Sequence, residues 1–279
     1  MNEDSAVSPG ESQTDEPPAS GAIREVANGI FTHDTPASLS PSLWKDREEP
    51  AFEIKFQVDP AKARDVAAWA AEHLNLDPHA DPALGNTYLV NGLYFDTPAL
   101  DVFHRMPGFK RRKFRLRRYG AGEEIFLEQK RKSAGRVAKR RIQVAEADLQ
   151  RLREMPLDVD WIGHWFHRRL SARKLQPTCS IGYQREAYFS QNGEGPLRLT
   201  LDRNIRCKDA EHYTVEPSAD GVAIASDQVL LELKFRKHLP ALFRAMMQDF
   251  ALTPGPLSKY RLAIEALGKA NGNGRPVDA

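Results

Sequence analysis

Eight stretches of the chain alternate apolar and polar residues with period two, and between them apolar residues recur at helical spacing. Strand side chains point alternately to opposite faces, so each alternating stretch predicts a strand with one apolar and one polar face. The first, 52–58, sets Phe52, Ile54, Phe56 and Val58 against Glu53, Lys55 and Gln57. Stretches 113–119 and 124–130 read as a hairpin turning at Tyr119-Gly120-Ala121-Gly122. Its first strand carries Lys113, Arg115 and Arg117 on one face and Phe114, Leu116 and Arg118 on the other. Its second strand sets Phe126, Glu128 and Lys130 against Ile125, Leu127 and Gln129. Further strands are predicted over 88–95, 135–144, 178–189, 197–206 and 228–235. Their polar faces hold Lys139 with Arg141, Tyr183 with Arg185, Arg198 with Asp202, and Glu232 with Lys234.

Asp59-Pro60 is an N-cap followed by an N1 proline, and predicts a helix to about Leu74. Helical segments are also predicted over 99–105, 146–153 and 161–175, and two more open at Leu239-Pro240 and Ser258-Lys259-Tyr260. Residues 208–226 read as an irregular excursion. His164 and His167 have a spacing found in metal sites, but they lie among Trp161, Trp165 and Phe166, which predicts helix packing instead.

The apolar strand faces need cover, and the interleaved helices supply it. The charged faces then point at one another. An α+β fold with a closed antiparallel eight-stranded barrel, a charged lumen and helices packed outside meets both demands and leaves no sheet edge. An open sheet with a solvated charged face is the alternative that the pattern leaves standing.

Charge sharpens this picture. Residues 1–50 hold ten acidic and three basic residues, so of the net +2 the remainder carries +9. A basic folded part points to an anionic ligand. Residues 1–49, rich in Pro, Ser, Glu and Asp, are expected to be disordered, 50–267 to form the domain, and 268–279 to be a flexible tail. Cys179 and Cys207 match neither a metal site nor a disulfide framework. With no secretory signal or membrane-spanning run in the sequence, a cytoplasmic protein without membrane insertion is expected. The aromatics fall on packing faces, so nucleic acid is not the expected ligand. A lumen of like charges is costly when empty. It suits an elongated polyanion, gripped by Arg forks and Lys point charges, with carboxylates holding a divalent metal on phosphate oxygens.

The order of motifs now carries a resemblance. Glu53-x-Lys55, Tyr94-Phe95-Asp96-Thr97, Lys113-x-Arg115-x-Arg117-x-Tyr119-Gly120 and Phe126-x-Glu128-x-Lys130 come first. Tyr183-x-Arg185, Arg198-x-x-Leu201-Asp202, Leu231-Glu232-x-Lys234 and Leu257-Ser258-Lys259-Tyr260 follow. This series resembles the VTC domain, the polyphosphate polymerase branch of the triphosphate tunnel metalloenzymes. The resemblance implies catalytic roles for Lys55, Arg115, Arg117, Lys130, Arg185, Arg198 and Glu232. It implies substrate binding by Lys139, Arg141, Tyr183, Lys234, Ser258 and Lys259. Mn²⁺ or Mg²⁺ would be held principally by Glu232, with Glu128 and Glu53 as further carboxylates better suited to orienting the nearby Lys and Arg. The implied reaction extends polyphosphate from a nucleoside triphosphate such as ATP; hydrolysis of a triphosphate and a silent polyphosphate receptor are the alternatives. Hydrolytic relatives begin ExExK, and Ala51 stands here at the first glutamate position, which moves weight toward the polymerase branch.

Overall fold

The computed structural model describes residues 49–271 apart from 121, 193–194 and 217–219. The leader, but for Glu49, and the tail from 272 onward lie outside the described residues. Ten strands occur in chain order: β1 Ala51–Val58, β2 Asn75–Leu76, β3 Tyr88–Asp96, β4 Arg112–Tyr119, β5 Glu124–Ser133, β6 Arg136–Ala145, β7 Gln176–Asn192, β8 Gly195–Asp209, β9 Val222–Ala223 and β10 Val229–Phe235. Eight of them close a ring, β7-β3-β4-β5-β6-β1-β10-β8 and back to β7, in which every pairing is antiparallel. The short β2 and β9 add to β7 and β8 outside the ring. The eight ring strands are the eight that alternation predicts.

Closure is uneven around the ring. β5 and β6 pair from Glu124↔Ala145 to Ser133↔Arg136, whereas β1 meets β6 only at Ala51↔Val137 and Phe52↔Arg136. Beyond that seam the Gly255 amide donates to the Lys55 carbonyl at 2.9 Å, so the loop after the fourth helix lies along the free edge of β1.

The helices are α1 Pro60–His73, α2 Asp101–His104, α3 His164–Ala172, α4 Ala241–Asp249 and α5 Lys259–Ala266. Asp59 caps α1, its carboxylate accepting from the Lys62 amide at 2.8 Å. Val66 and Ala70 of α1, with Phe243 and Met246 of α4, bury against Phe56, Leu199, Leu231 and Leu233 on the outer faces of β1, β8 and β10. On the other side Phe166 of α3 meets Phe95 and Phe114 edge-on, with ring centroids 5.9 and 6.1 Å apart. Each such fully buried side chain contributes roughly 1.5–3 kcal/mol.

Several local expectations shift. The 99–105 segment makes one helical turn, and 146–153 forms a 3-10 helix rather than an α-helix. Within 208–226, β8 continues to Asp209 and β9 pairs back onto it, so the excursion is partly strand. The expected tail is anchored at its start: Lys269, in a 3-10 turn, pairs with Asp209 at 2.8 Å and donates to the Thr178 carbonyl at 3.2 Å. No helix among the described residues is long and apolar enough to cross a membrane.

Candidate active site: a cation-lined bore

Helix α5 sets one end of the bore. Its Ser258 caps the helix by accepting from the Arg261 amide, and the same hydroxyl accepts from Lys113 Nζ at 2.7 Å. Lys259 reaches Asp202 at 2.6 Å. Beyond them Tyr260 stacks on Tyr94 at 5.6 Å, and the Ala263 carbonyl lies 3.9 Å from Cys207 Sγ. Tyr94, Ile181 and Cys207 are on the inward faces of β3, β7 and β8, so α5 occupies this end of the bore, unlike the helices outside. The Asp96 carboxylate fixes the arrangement: it accepts from the Tyr260 hydroxyl and from the amides of Val102 and Phe103.

Along the β1–β10–β5 side, Lys55 lies 2.8 Å from Glu232 and 3.7 Å from Glu53, while Lys130 lies 3.0 Å from Glu53. Burial and the neighbouring Glu232 oppose ionisation of Glu53, yet Lys130 and Lys55 overcome both and bring its pKa down to about 2. Glu232 is likewise held well below the usual carboxylate range, Lys55 outweighing its burial. Burial, with Lys55 and Lys130 beside it, pushes the Lys113 ammonium well below its ordinary pKa.

The opposite side is built from arginines and tyrosines. Arg185 forks onto Asp202 at 2.7 and 2.8 Å. The Tyr183 hydroxyl accepts from Arg117 at 3.0 Å and from Arg185 at 3.4 Å. Arg115 meets Glu128 at 2.6 Å and donates to the Tyr94 hydroxyl at 3.2 Å. Arg198 pairs with Asp77 at 2.6 Å and donates to the Tyr88 hydroxyl at 3.0 Å. Arg141 lies over the Phe126 ring at 3.6 Å. Tyr119 stands among Arg117, Arg141 and Lys139; burial and Glu128 oppose its ionisation, but those cations lower its pKa to about 7.

Every site residue expected from the sequence is on the inward side or at the α5 terminus that enters it. Lys234 faces inward, opposite Glu53 on β1 and Arg198 on β8. Glu128 is not brought together with Glu53 and Glu232: fully buried, it is tied to Arg115 and, at 3.4 Å, to Lys139. It stands among cations, apart from the two carboxylates beside Lys55. Among the described residues no group of three His, Cys, Asp or Glu is placed to hold a metal. Glu53 and Glu232 fit an ion that keeps most of its shell from phosphate oxygens and water, the way Mg²⁺ is commonly held. Arg117 Nε and Thr200 Oγ1 are buried without a hydrogen-bond partner, and such atoms suit an anionic acceptor in the bore.

Tyr94, Lys113 and Tyr119 stand in the motif series without an expected site role, and Tyr88 and Asp77 are not in it. Lys113 already shared a face with Arg115 and Arg117, and Tyr88 and Tyr94 share the inward parity of β3. Asp77 lies in a loop, where alternation gives no signal.

The VTC domain model matches residues 51–268. No curated protein matches the chain. Among solved structures, a candidate adenylate cyclase from Bacillus halodurans is similar at 14% identity and TM-score 0.49, covering 77% of this chain and 96% of its own. A candidate adenylyl cyclase from Hippeastrum, described with a dominant triphosphatase activity, has 16% identity and TM-score 0.44 over 82% of this chain and 99% of its own. PH1819 from Pyrococcus horikoshii has 14% identity and TM-score 0.44 over 77% and 98%. The family model spans the whole ring and the α5 motif that completes the bore, and by that match the chain belongs to the VTC domain family.

Proposed function

We propose that this protein moves the terminal phosphoryl group of a nucleoside triphosphate, bound in the bore, to the end of a polyphosphate chain. Membership of the family implies action on a triphosphate with a divalent metal. The finer reading rests on one observation: Glu53, Glu128, Glu232 and Asp202 are ion-paired and held anionic in the bore, with Glu53 and Asp202 at about 2. None is poised to take a proton from water. A terminal phosphate is already ionised and needs no such base. Its oxygen bonds to the γ-phosphorus as the bond to the β–γ bridging oxygen breaks, and the nucleoside diphosphate leaves with that electron pair.

Arg115, Arg117, Arg185 and Arg198 would hold phosphate oxygens along the bore. Their partners pre-orient the guanidinium groups, so little reorganisation is needed as charge moves. Lys55 and Lys130 would release part of their hold on Glu232 and Glu53 as metal and phosphate arrive together. When bound, the metal neutralises charge on the phosphate oxygens and orients them.

Hydrolysis is the second reading, and Tyr119 favours it, because its pKa of about 7 suits proton transfer from water. Incubation with ATP and Mn²⁺ separates the readings when polyphosphate, ADP and free phosphate are measured together. Polymer with ADP is expected; free phosphate without polymer would replace the proposal with hydrolysis.

A further inference from the structure

The pair Lys113↔Lys130 faces into the bore, and its neighbour in register, Arg112↔Arg131, faces out. At the rim beside that pair lies a groove of about 330 Å³, lined by the five cations Lys110, Arg111, Arg112, Arg131 and Lys132 and by no acidic residue. None of these five makes an ion pair with a carboxylate among the described residues. The field continues across α3. The charges acting on Arg112 are Arg173 and Arg131, and those acting on Arg169 are Arg140, Arg168, Arg173 and Arg112. Each of these interactions is repulsive.

Five groove cations with no carboxylate partner among the described residues disfavour the compact state unless something anionic meets them. Guanidinium forks match phosphate oxygens. Trp165, the aromatic of this field, already has Arg140 at 4.2 Å and Arg169 at 5.6 Å over its ring, so it offers no platform for stacking bases. The groove lining has no apolar side chain to enter a bilayer. These features favour a linear inorganic polyanion over nucleic acid or membrane.

We propose that this groove is a second phosphate-chain site, holding the distal part of a long polyphosphate whose end lies in the bore. The choice of polyphosphate rests on the phosphoryl-transfer reading; the groove's preference for a phosphate chain does not require turnover. The bore and the groove are adjacent through β4 and β5, so one chain can pass from Lys113 and Lys130 over the rim to Arg112 and Arg131.

The test compares binding of tripolyphosphate and of long-chain polyphosphate to the full chain carrying Arg111→Gln, Arg131→Gln and Lys132→Gln. These side chains are exposed, and an unchanged melting temperature verifies the fold. Long-chain affinity is expected to fall at least about tenfold, with a salt dependence shallower by about two to three in log–log slope, while tripolyphosphate binding stays the same. Arg185→Ala should give the reverse, losing tripolyphosphate but keeping the groove's share of long-chain binding. Unchanged long-chain affinity in the triple variant would overturn the site. Equal loss of both ligands would make the groove part of the bore and overturn it as a second site. Tighter binding of phosphatidylserine vesicles or single-stranded DNA than of polyphosphate would overturn the ligand class. A chain that is bound but never extended from ATP would fail the phosphoryl-transfer reading alone.

Discussion

The β1–β10–β5 side of the bore and the β3–β4–β7–β8 side both set cations against carboxylates, by different chemistry. On the first, Lys55 and Lys130 share Glu53 and Glu232 through single contacts of 2.8 to 3.7 Å. On the second, arginines are held by two-point contacts and tyrosine hydroxyls, as in the fork of Arg185 on Asp202. An ammonium is a point charge on a flexible stem, and can exchange a carboxylate for a phosphate or yield it to a metal. A guanidinium held on two sides keeps its plane. The lysine side is therefore the adjustable one, and the arginine side is the fixed frame.

The sharpest way to break this contrast is at the arginine side. Arg185→Ala removes the fork and leaves Asp202 to Lys259, and should lower turnover about 100- to 1,000-fold. Arg117→Lys keeps the charge and loses the fork, with an expected loss of about 10- to 100-fold, mostly in kcat, read from steady-state kinetics. Arg118→Ala is the outward-facing comparison. Arg118 is buried and paired with Glu146, so this change should cost about 1–3 kcal/mol in a denaturant melt and leave turnover per folded molecule intact. Equal damage to turnover from Arg118→Ala would mean that the two faces of β4 are not distinct.

On the lysine side, Glu232→Gln should leave the fold intact and raise the Mn²⁺ concentration for half-maximal activity at least about tenfold. An unchanged metal titration would remove Glu232 from the metal site and leave it as a partner of Lys55 only.

The smallest expected effect concerns pH. Cations hold Tyr119 near a pKa of about 7, and an arriving triphosphate takes up those same cations. Binding should therefore raise the Tyr119 pKa and draw in a proton, so affinity falls as pH rises through about 7. Tyr119→Phe should flatten that slope between pH 6 and 8, by about two- to fivefold in affinity, measured by calorimetry in two buffers. A slope that survives the substitution assigns the proton to another group.

The ring and the inward set were legible because period two is a strong signal wherever one strand face is covered by helices. Lys55, Arg115, Arg185 and Glu232 each fall where alternation places them. Less legible was anything that depends on contacts across the bore. That Arg115 and Lys139 are the cations standing against Glu128 follows from the β4–β5–β6 register, which fixes who stands opposite whom. The seat of α5 was hidden for a similar reason. Its apolar stripe of Tyr260, Ala263 and Ile264 predicts burial, and the inward faces near Ile181 and Cys207 become apolar only where the register brings β7 and β8 together.

The two register pairs between β1 and β6 bear on where the ring would open. A fully laddered ring admits a polymer only end-first, as a needle's eye admits thread. Here the circumference has one link far weaker than the rest, and sub-global opening follows the weakest link. Lys55 lies beside that link, where the Gly255 loop takes the place of a neighbouring strand. At this seam the barrel is thus closer to a clasp than to a closed eyelet.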